Sequence, residues 1–213
     1  MPRLANDQNR RPLETRSHAW AQALARVLIA ARVTPNAISV ASVLFAALGA
    51  ALVVLARGPV GFVAAAACVQ LRLLCNMLDG MVAIDGGRQT ATGALYNEIP
   101  DRIADSLLIV GLGVAGGAPW LGWLGALGAA VTAYIRVLGG TLGLPQDFGG
   151  PLAKPHRMFV MTVGSLGAAT EAAFIGTRYS LLVAAWIIAV GSLLTCVLRS
   201  RRIAARLRAR AAT

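Results

Sequence analysis

The chain has 213 residues, of which 57% are hydrophobic and 14% are charged, and its mean hydropathy is +0.66. Soluble domains carry about 25% charged residues, so this composition argues against a soluble globular protein and for a membrane protein. The net charge of +11 is concentrated in arginines near the two ends of the chain, before the first apolar run and after the last. Basic chain ends next to apolar segments indicate that these ends lie at the cytoplasmic surface of a membrane and contact anionic lipid, and do not bind nucleic acid.

The N-terminal region combines a basic segment with an amphipathic pattern. Residues 1–12 are polar and basic, and apolar residues recur at helical spacing over 13–31. We interpret this pattern as a helix in the membrane interface, with a helix packed on the cytoplasmic side of the bundle as the alternative. Pro35 ends that helix by restricting Thr34 to extended geometry, and Asn36 is expected to cap the next helix.

The apolar runs that follow are each about 20 residues long, and they predict an all-α integral membrane protein with six transmembrane helices. The predicted spans are 37–56, 60–83, 93–115, 120–138, 158–174 and 179–198. Arg72 lies inside the second span, which indicates that one face of this helix meets protein and not lipid. The predicted organisation is a basic segment with an interfacial helix at 1–33, a six-helix catalytic domain at 34–199, and a basic cytoplasmic tail at 200–213.

Six spans place both termini on the same side of the membrane, and the loop charges indicate which side that is. The side of the termini carries Arg88, Arg102, Lys154 and Arg157, whereas the other side carries Arg57 and Arg178. Basic residues are retained on the cytoplasmic side, so we expect cytoplasmic termini and a location in a bacterial inner membrane. The Gly- and Ala-rich spans allow close helix packing and permit a homodimer.

One polar stretch interrupts the apolar runs, at the end of the second span and the start of the third. Asn76 and Asp79 are three residues apart on the first of these helices, and so share a face. Asn97, Asp101 and Asp105 are each four apart on the next helix. Carboxylate and amide oxygens that converge in this way suit a hard divalent cation such as Mg²⁺. The alternative is a buried polar network that only holds the two helices together.

The spacing of these residues resembles the CDP-alcohol phosphotransferase (CDP-alcohol phosphatidyltransferase) family, whose signature is D-x2-D-G-x2-A-R-x8-G-x3-D-x3-D. This chain reads Asn76-x2-Asp79-Gly80-x2-Ala83-Ile84-x8-Gly93-x3-Asn97-x3-Asp101, so every spacing is retained. The Thr34-Pro35-Asn36 sequence and the predicted arrangement of six spans after an interfacial helix are also similar to the family.

The resemblance implies a role for each matched position. The implied ligands of Mg²⁺ or Mn²⁺ are Asn76, Asp79, Asn97 and Asp101. The residues implied to contact the cytidine nucleotide are Asp79, Gly80, Ala83 and Gly93. Asp101 is also the implied general base, which takes a proton from the acceptor hydroxyl as that hydroxyl attacks a phosphate of a CDP-linked donor and CMP leaves.

The chain departs from the family pattern at three positions. Two of the four motif aspartates are asparagines, which are neutral ligands, and the motif arginine is Ile84. Asp105 lies on the face of the implied metal ligands and is expected to be a further metal ligand, whereas Glu98 lies one residue from that face; either could compensate for the lost charge. Arg88 could replace the missing arginine. Three hypotheses follow: an enzyme with altered metal use, an enzyme with an unusual donor, and an inactive relative that only binds.

A second set of basic residues lies outside the motif. Family members that act on phosphorylated alcohols have similar basic residues that hold the acceptor phosphate, which implies acceptor binding by Arg136, Lys154 and Arg157. The alternatives are a snorkelling arginine at a helix end, lipid headgroup binding, and charges that only set topology.

The sequence therefore predicts a membrane transferase that moves a phosphatidyl or phosphoalcohol group from a CDP-linked donor to a small alcohol and releases CMP. CDP-diacylglycerol and a phosphorylated alcohol are the expected substrates, on the basis of the resemblance. The alternatives are a non-catalytic relative of the same fold that binds nucleotide or lipid and, with less support, a small transporter.

Overall fold

The computed structural model of the chain describes residues 18–88 and 90–211, and the regular secondary structure within these residues is entirely helical. The helices are α1 (Ala19–Ala30), α2 (Pro35–Leu55), α3 (Pro59–Asp85), α4 (Gly93–Ala115), α5 (Pro119–Thr141), α6 (Lys154–Phe174) and α7 (Tyr179–Ala211). The prediction of an all-α chain is confirmed for the described residues.

Proline marks the start of four of the long helices, at the first or second helical position of α2, α3, α5 and α6. Proline is favoured there because the first N–H groups of a helix have no intrahelical partner and its φ angle is already helical. At the start of α2, the Ala37 amide donates to the Thr34 hydroxyl at 3.2 Å. The cap is therefore Thr34, and the prediction of Asn36 as the cap is wrong.

The six long helices pack in a closed ring in the order α2, α3, α6, α7, α5 and α4, and α4 also contacts α7. Small residues let neighbouring backbones approach closely. A Cβ atom added at Gly113 of α4 would lie 2.5 Å from the Cα atom of Gly122 in α5. A Cβ atom at Gly128 of α5 would lie 2.9 Å from the Cβ atom of Ser192 in α7. The prediction of close packing through small residues is confirmed at these crossings.

Four of the described helices, α2, α3, α5 and α7, are long and apolar enough to cross a membrane. They indicate an integral membrane protein. The prediction of six spans is not confirmed by this criterion, because α4 and α6 have comparable lengths of 23 and 21 residues but carry more polar sequences. The polarity of α4 comes from Glu98, Asp101, Arg102 and Asp105, which lie between the sixth and the thirteenth residue of the helix.

Helix α1 packs against α3, at the end of the ring where α3 finishes. Its buried residues Ala21 and Ala25 join an apolar cluster with Met77, Met81 and other residues of α3. Its opposite face exposes Trp20 and other apolar side chains. The packing agrees with the alternative of a helix docked on the bundle, and the membrane-interface location stays a prediction. The expected start of this helix at residue 13 lies outside the described residues.

Helix α7 continues well past the predicted end of the last span. It runs to Ala211, so the predicted boundary at 199–200 falls inside a continuous helix. No Gly or Pro occurs between residue 192 and the end of the helix, and arginines in the last turn interact favourably with the helix dipole. The basic segment is therefore an extension of the last span as far as it is described.

We expect Gly113→Ala to lower the free energy of unfolding in detergent by about 1–3 kcal/mol, because its methyl group would push the α4 and α5 backbones apart. Thermal unfolding followed by circular dichroism would measure the change. Gly58→Ala is the matched control, because a Cβ atom there would meet no atom of the described residues within 4 Å. Equal midpoints for the two variants would contradict the close approach of α4 and α5.

Candidate active site

A cavity of about 620 Å³ lies at the end of the ring where α2, α4 and α6 begin and where α3 and α5 end. Its walls include every predicted site residue except Asp105: Asn76, Asp79, Gly80, Ala83, Gly93, Asn97, Asp101, Arg136, Lys154 and Arg157. Three helix N-termini meet at this end, and each carries a partial positive charge that favours anions. The structure thus brings the motif residues and the separate basic residues into one cavity.

Asp79 is positioned by a hydrogen bond that connects α2 to α3. The Ser39 hydroxyl donates to Asp79 Oδ2 at 2.8 Å, and both side chains are buried at the cavity wall. Ser39 was not among the predicted site residues. It could have been recognised as a hydroxyl residue in an apolar span, about one turn after the Thr34-Pro35-Asn36 sequence at which the helix begins.

Asp101 is held by donors from α3 and α6. Its Oδ1 atom accepts hydrogen bonds from Arg72 at 3.0 Å and from the Asn76 amide nitrogen at 2.8 Å. Its Oδ2 atom accepts from Lys154 Nζ and lies 3.5 Å from a nitrogen of Arg102. Lys154 also donates to Asn76 Oδ1 at 2.8 Å. The carboxylate is therefore fixed in orientation and surrounded by positive charge.

The orientation of the Asn76 amide follows from its two partners. A lysine ammonium can only donate hydrogen bonds, so Asn76 must present its oxygen to Lys154. An ionised carboxylate can only accept them, so Asn76 must present its nitrogen to Asp101. Asn76 thus bridges the cation and the carboxylate with both ends of its amide group.

Asp105 lies one turn deeper than Asp101 and does not line the cavity. Its Oδ1 atom is 2.8 Å from Arg72, and its Oδ2 atom is 3.6 Å from Arg157. The Asp105 side chain is buried between these guanidinium groups, which differs from the predicted role as a metal ligand. Its charge neutralises Arg72, which is completely buried. The prediction that the second span presents Arg72 to protein is confirmed.

Together these side chains form an alternating series of charges through the base of the cavity. The series is Lys154, Asp101, Arg72, Asp105 and Arg157, with each member paired to the next. It joins α6, α3 and α4 over about one helical turn at the base of the cavity. Because buried charges are tolerated only when they are paired, the series fixes the mutual positions of these three helices.

The contacts of the motif oxygens test whether a divalent cation fits. Among the described residues, no group of three or more His, Cys, Asp or Glu side chains could hold a metal ion. The oxygen of Asn76 and both oxygens of Asp101 already accept hydrogen bonds from N–H donors. As arranged, Asn76 and Asp101, two of the four residues expected to bind a metal ion, therefore do not fit a divalent cation.

Arg136 forms a second polar cluster on the cavity wall. Its guanidinium pairs with Glu98, donates to Gln146 Oε1 at 2.6 Å, and lies 5.3 Å from the centre of the Phe148 ring. Glu98 is thus the counter-ion of Arg136 and also lies 3.6 Å from Arg102. The contacts to Gln146 and Phe148 come from the loop before α6, and sequence analysis did not find them.

Two further arginines hold the loop between α5 and α6. Arg157 donates to the Leu152 carbonyl at 2.7 Å. Arg199 of α7 donates to the carbonyls of Gly149 at 2.8 Å and Thr132 at 2.7 Å. Sequence analysis assigned Arg199 only to the basic end of the chain. Its buried position could have been detected from the helical spacing of polar residues at 192, 195 and 199 within the last apolar run.

The cavity wall nearest the turn between α3 and α4 is formed by the remaining predicted residues, Gly80, Ala83, Gly93 and Asn97. Among the described residues, a Cβ atom at Gly93 would meet only the Thr90 hydroxyl, at 3.5 Å, so packing within this part of the chain does not require glycine and leaves open space beside it. Arg88, expected as a substitute for the motif arginine, lines the same cavity and donates to the Val33 carbonyl at 3.0 Å.

The chain is similar in sequence and in structure to known proteins of one family. The family model for CDP-alcohol phosphatidyltransferase matches residues 32–198. The phosphatidylinositol phosphate synthase of Corynebacterium glutamicum is 31% identical over 190 residues, which cover 83% of this chain and 80% of that protein. Two crystal structures of the Mycobacterium tuberculosis phosphatidylinositol phosphate synthase superpose with a TM-score of 0.71 at 26% identity, over 86% of this chain. The structure with manganese and citrate is covered over 88% of its length, and the structure with CDP-DAG bound over 92%.

The match to the family model extends over most of the chain and includes every predicted site residue. The curated relative and both solved structures carry the same enzyme name, and all three are covered over most of their length. The chain therefore belongs to the CDP-alcohol phosphatidyltransferase family, whose members are transferases of phospholipid biosynthesis.

Proposed function

We propose that this chain transfers a phosphatidyl group from CDP-diacylglycerol to the hydroxyl of a small phosphorylated alcohol and releases CMP. The observation that carries the proposal is the shared cavity, in which the motif residues and three separate basic residues, Arg136, Lys154 and Arg157, line one space. The donor class is supported by the relative solved with CDP-DAG bound. A phosphorylated acceptor is supported by the basic residues, because guanidinium and ammonium groups bind phosphate well.

We propose that all six long helices cross the membrane, with the cavity at the cytoplasmic surface. Helices α4 and α6 are each packed between two of the four apolar helices, and their charged residues gather at the cavity end. The excess of basic residues at that end supports a cytoplasmic orientation of both termini. A bacterial inner membrane and a homodimer stay predictions for this chain.

In the proposed reaction, Asp101 is the general base. The acceptor hydroxyl oxygen attacks the phosphorus next to diacylglycerol, the bond from that phosphorus to the oxygen of CMP breaks, and the hydroxyl proton passes to Asp101. CMP leaves with the negative charge of the broken bond. Arg72 and Asn76 hold the carboxylate in place from below. The positive charges around the cavity stabilise the negative charge that develops on the transferred phosphoryl group.

The nucleotide is proposed to bind along the wall formed by Asp79, Gly80, Ala83 and Gly93. These residues lie at the end of α3 and the start of α4, next to the Ser39 hydroxyl that holds Asp79. Open space beside Gly93 supports close approach of a ligand to the backbone.

The acceptor phosphate is proposed to bind at Arg136, Lys154 and Arg157. Arg136 currently pairs with Glu98, whose side chain is 37% exposed, so an incoming phosphate could replace this carboxylate as the counter-ion. Arg157 is braced by Leu152 and Asp105, and Lys154 lies between the basic residues and the motif.

Mg²⁺ or Mn²⁺ stays the predicted cofactor of this chain on the basis of the family resemblance and of the manganese in a solved relative. Any such ion would supply positive charge to the phosphates. The contacts of Asn76 and Asp101 do not fit it as they stand, and an assay must therefore be run with each metal and with a chelator.

We expect the purified protein in lipid to release CMP from CDP-diacylglycerol when a phosphorylated alcohol is supplied, and Asp101→Asn to lower the rate by about 100-fold or more, because an amide cannot accept the proton. CMP would be quantified by chromatography with Mg²⁺, with Mn²⁺ and with a chelator, over a panel of alcohols with and without phosphate.

Asp85→Asn is the matched control for this experiment, because Asp85 is exposed at the end of α3 and does not line the cavity. It should release CMP like the wild-type protein. Binding of a cytidine nucleotide without CMP release for any acceptor would contradict the proposal and favour a non-catalytic relative. Transport of a solute without binding of the nucleotide would favour the transporter.

We expect Arg136→Gln to raise the KM for a phosphorylated acceptor by about 10- to 100-fold, because a charge-assisted hydrogen bond to phosphate is lost. The KM for CDP-diacylglycerol should change little. Arg202→Gln is the control, because Arg202 pairs with Asp147 and does not line the cavity. Equal KM changes for donor and acceptor in Arg136→Gln would contradict the assignment of Arg136 to the acceptor.

A further inference from the structure

We propose that the ammonium group of Lys154 occupies the position between Asn76 and Asp101 that a divalent cation would take between two carboxylates. The proposal concerns the same cavity as the proposed function and rests on it for the presence of a phosphate ligand. It relates one departure from the motif, the asparagine at position 76, to the lysine at position 154 that lies against it.

The first observation is the position of the ammonium. Lys154 donates to both Asn76 Oδ1 and Asp101 Oδ2, so it bridges the first and last residues of the motif. Its side chain is 13% exposed and lines the cavity. A divalent cation bound by these two residues would need the same two oxygen atoms. The ammonium and the cation therefore compete for one position.

The second observation is the identity of the side chain. Lys154 is the only lysine among the 20 basic Lys and Arg residues of the chain, and all the others are arginine. An ammonium is a compact point charge with three donors, whereas a guanidinium is a planar fork. The compact group is the better substitute for a spherical ion that sits between two oxygen ligands.

The third observation explains the asparagine. The Asn76 nitrogen lies 2.8 Å from Asp101 Oδ1 and donates a hydrogen bond to it. An aspartate at this position would place a second negative charge against the first, and the single ammonium of Lys154 would then have to balance two carboxylates. The amide removes the repulsion and adds a hydrogen bond, so the two helices can meet here without a metal ion.

The charges of the two arrangements are equal. A carboxylate with a divalent cation contributes one net positive charge beside Asp101, and a neutral amide with a lysine ammonium contributes the same. The pair Asn76 and Lys154 thus preserves the electrostatic environment of Asp101. Two of the three ammonium donors are used by protein oxygens, so the third can donate to a phosphate oxygen in the cavity.

The test compares Mn²⁺ binding by wild type, Asn76→Asp, Lys154→Met and the double variant, measured by calorimetry in detergent. We expect the double variant to bind one more Mn²⁺ per chain than the wild type, with a Kd about 10-fold or more below that of Lys154→Met, because a carboxylate ligand is gained and the competing ammonium is lost. Lys154→Arg, which keeps the charge, should gain no ion. Equal numbers of bound Mn²⁺ in wild type and double variant would overturn the proposal.

A second measurement uses the wild-type protein and does not depend on any variant being folded. Because Lys154 is the only lysine, its acetylation by an amine reagent can be followed by peptide mass spectrometry. We expect millimolar Mg²⁺ to leave the acetylation rate unchanged. A faster rate with Mg²⁺ would show that the ion displaces the ammonium and would overturn the proposal. Neither readout requires turnover, so failure of CMP release would leave this test intact.

Discussion

The structure depends on the pairing of Arg72 with two carboxylates of the neighbouring helix. A guanidinium with no solvent exposure is tolerated only if its charge is compensated, and removing one partner of such a pair costs about 3–5 kcal/mol. Arg72 lies 3.0 Å from Asp101 and 2.8 Å from Asp105. These distances set the register of α3 against α4. The same contacts turn Asp101 toward the cavity end of the ring and fix its orientation, so one interaction serves both folding and the proposed chemistry.

The basic residues at the cavity act on the fold in a similar way. Arg157 and Arg199 direct N–H groups at carbonyls of the loop between α5 and α6, and that loop contributes Gln146 and Phe148 to the surroundings of Arg136. Arg157 and Arg199 thus hold the same loop that contacts Arg136, so the basic residues of the cavity support one another through this loop. A cavity that binds anions needs such support, because several positive charges near one another repel unless carbonyl or carboxylate oxygens lie between them.

The sequence was sufficient for the long helices and for ten residues of the cavity wall, because both depend on local patterns. Apolar runs located α2 to α7, and residues spaced by three and four defined the faces that line the cavity. Periodicity gives the direction of a side chain but not its depth, which is why Asp105 was grouped with Asp101 although it meets Arg72 and Arg157 one turn deeper. The partners of Arg136 come from a loop with no periodicity, and only the folded chain brings them to it.

The asparagine at position 76 shows why a departure from a family pattern has to be judged together with its spatial neighbours. Taken alone, it removes a negative charge from the motif and suggests lost activity. In the structure it lies against Lys154, which comes from the start of α6, 78 residues along the chain. With aspartate at position 76, a second carboxylate would face Asp101. Without lysine at position 154, Asp101 would lose the cation that contacts its Oδ2 atom. The two residues therefore form one electrostatic unit, in which the amide at 76 accepts from the ammonium and donates to Asp101 at the same time.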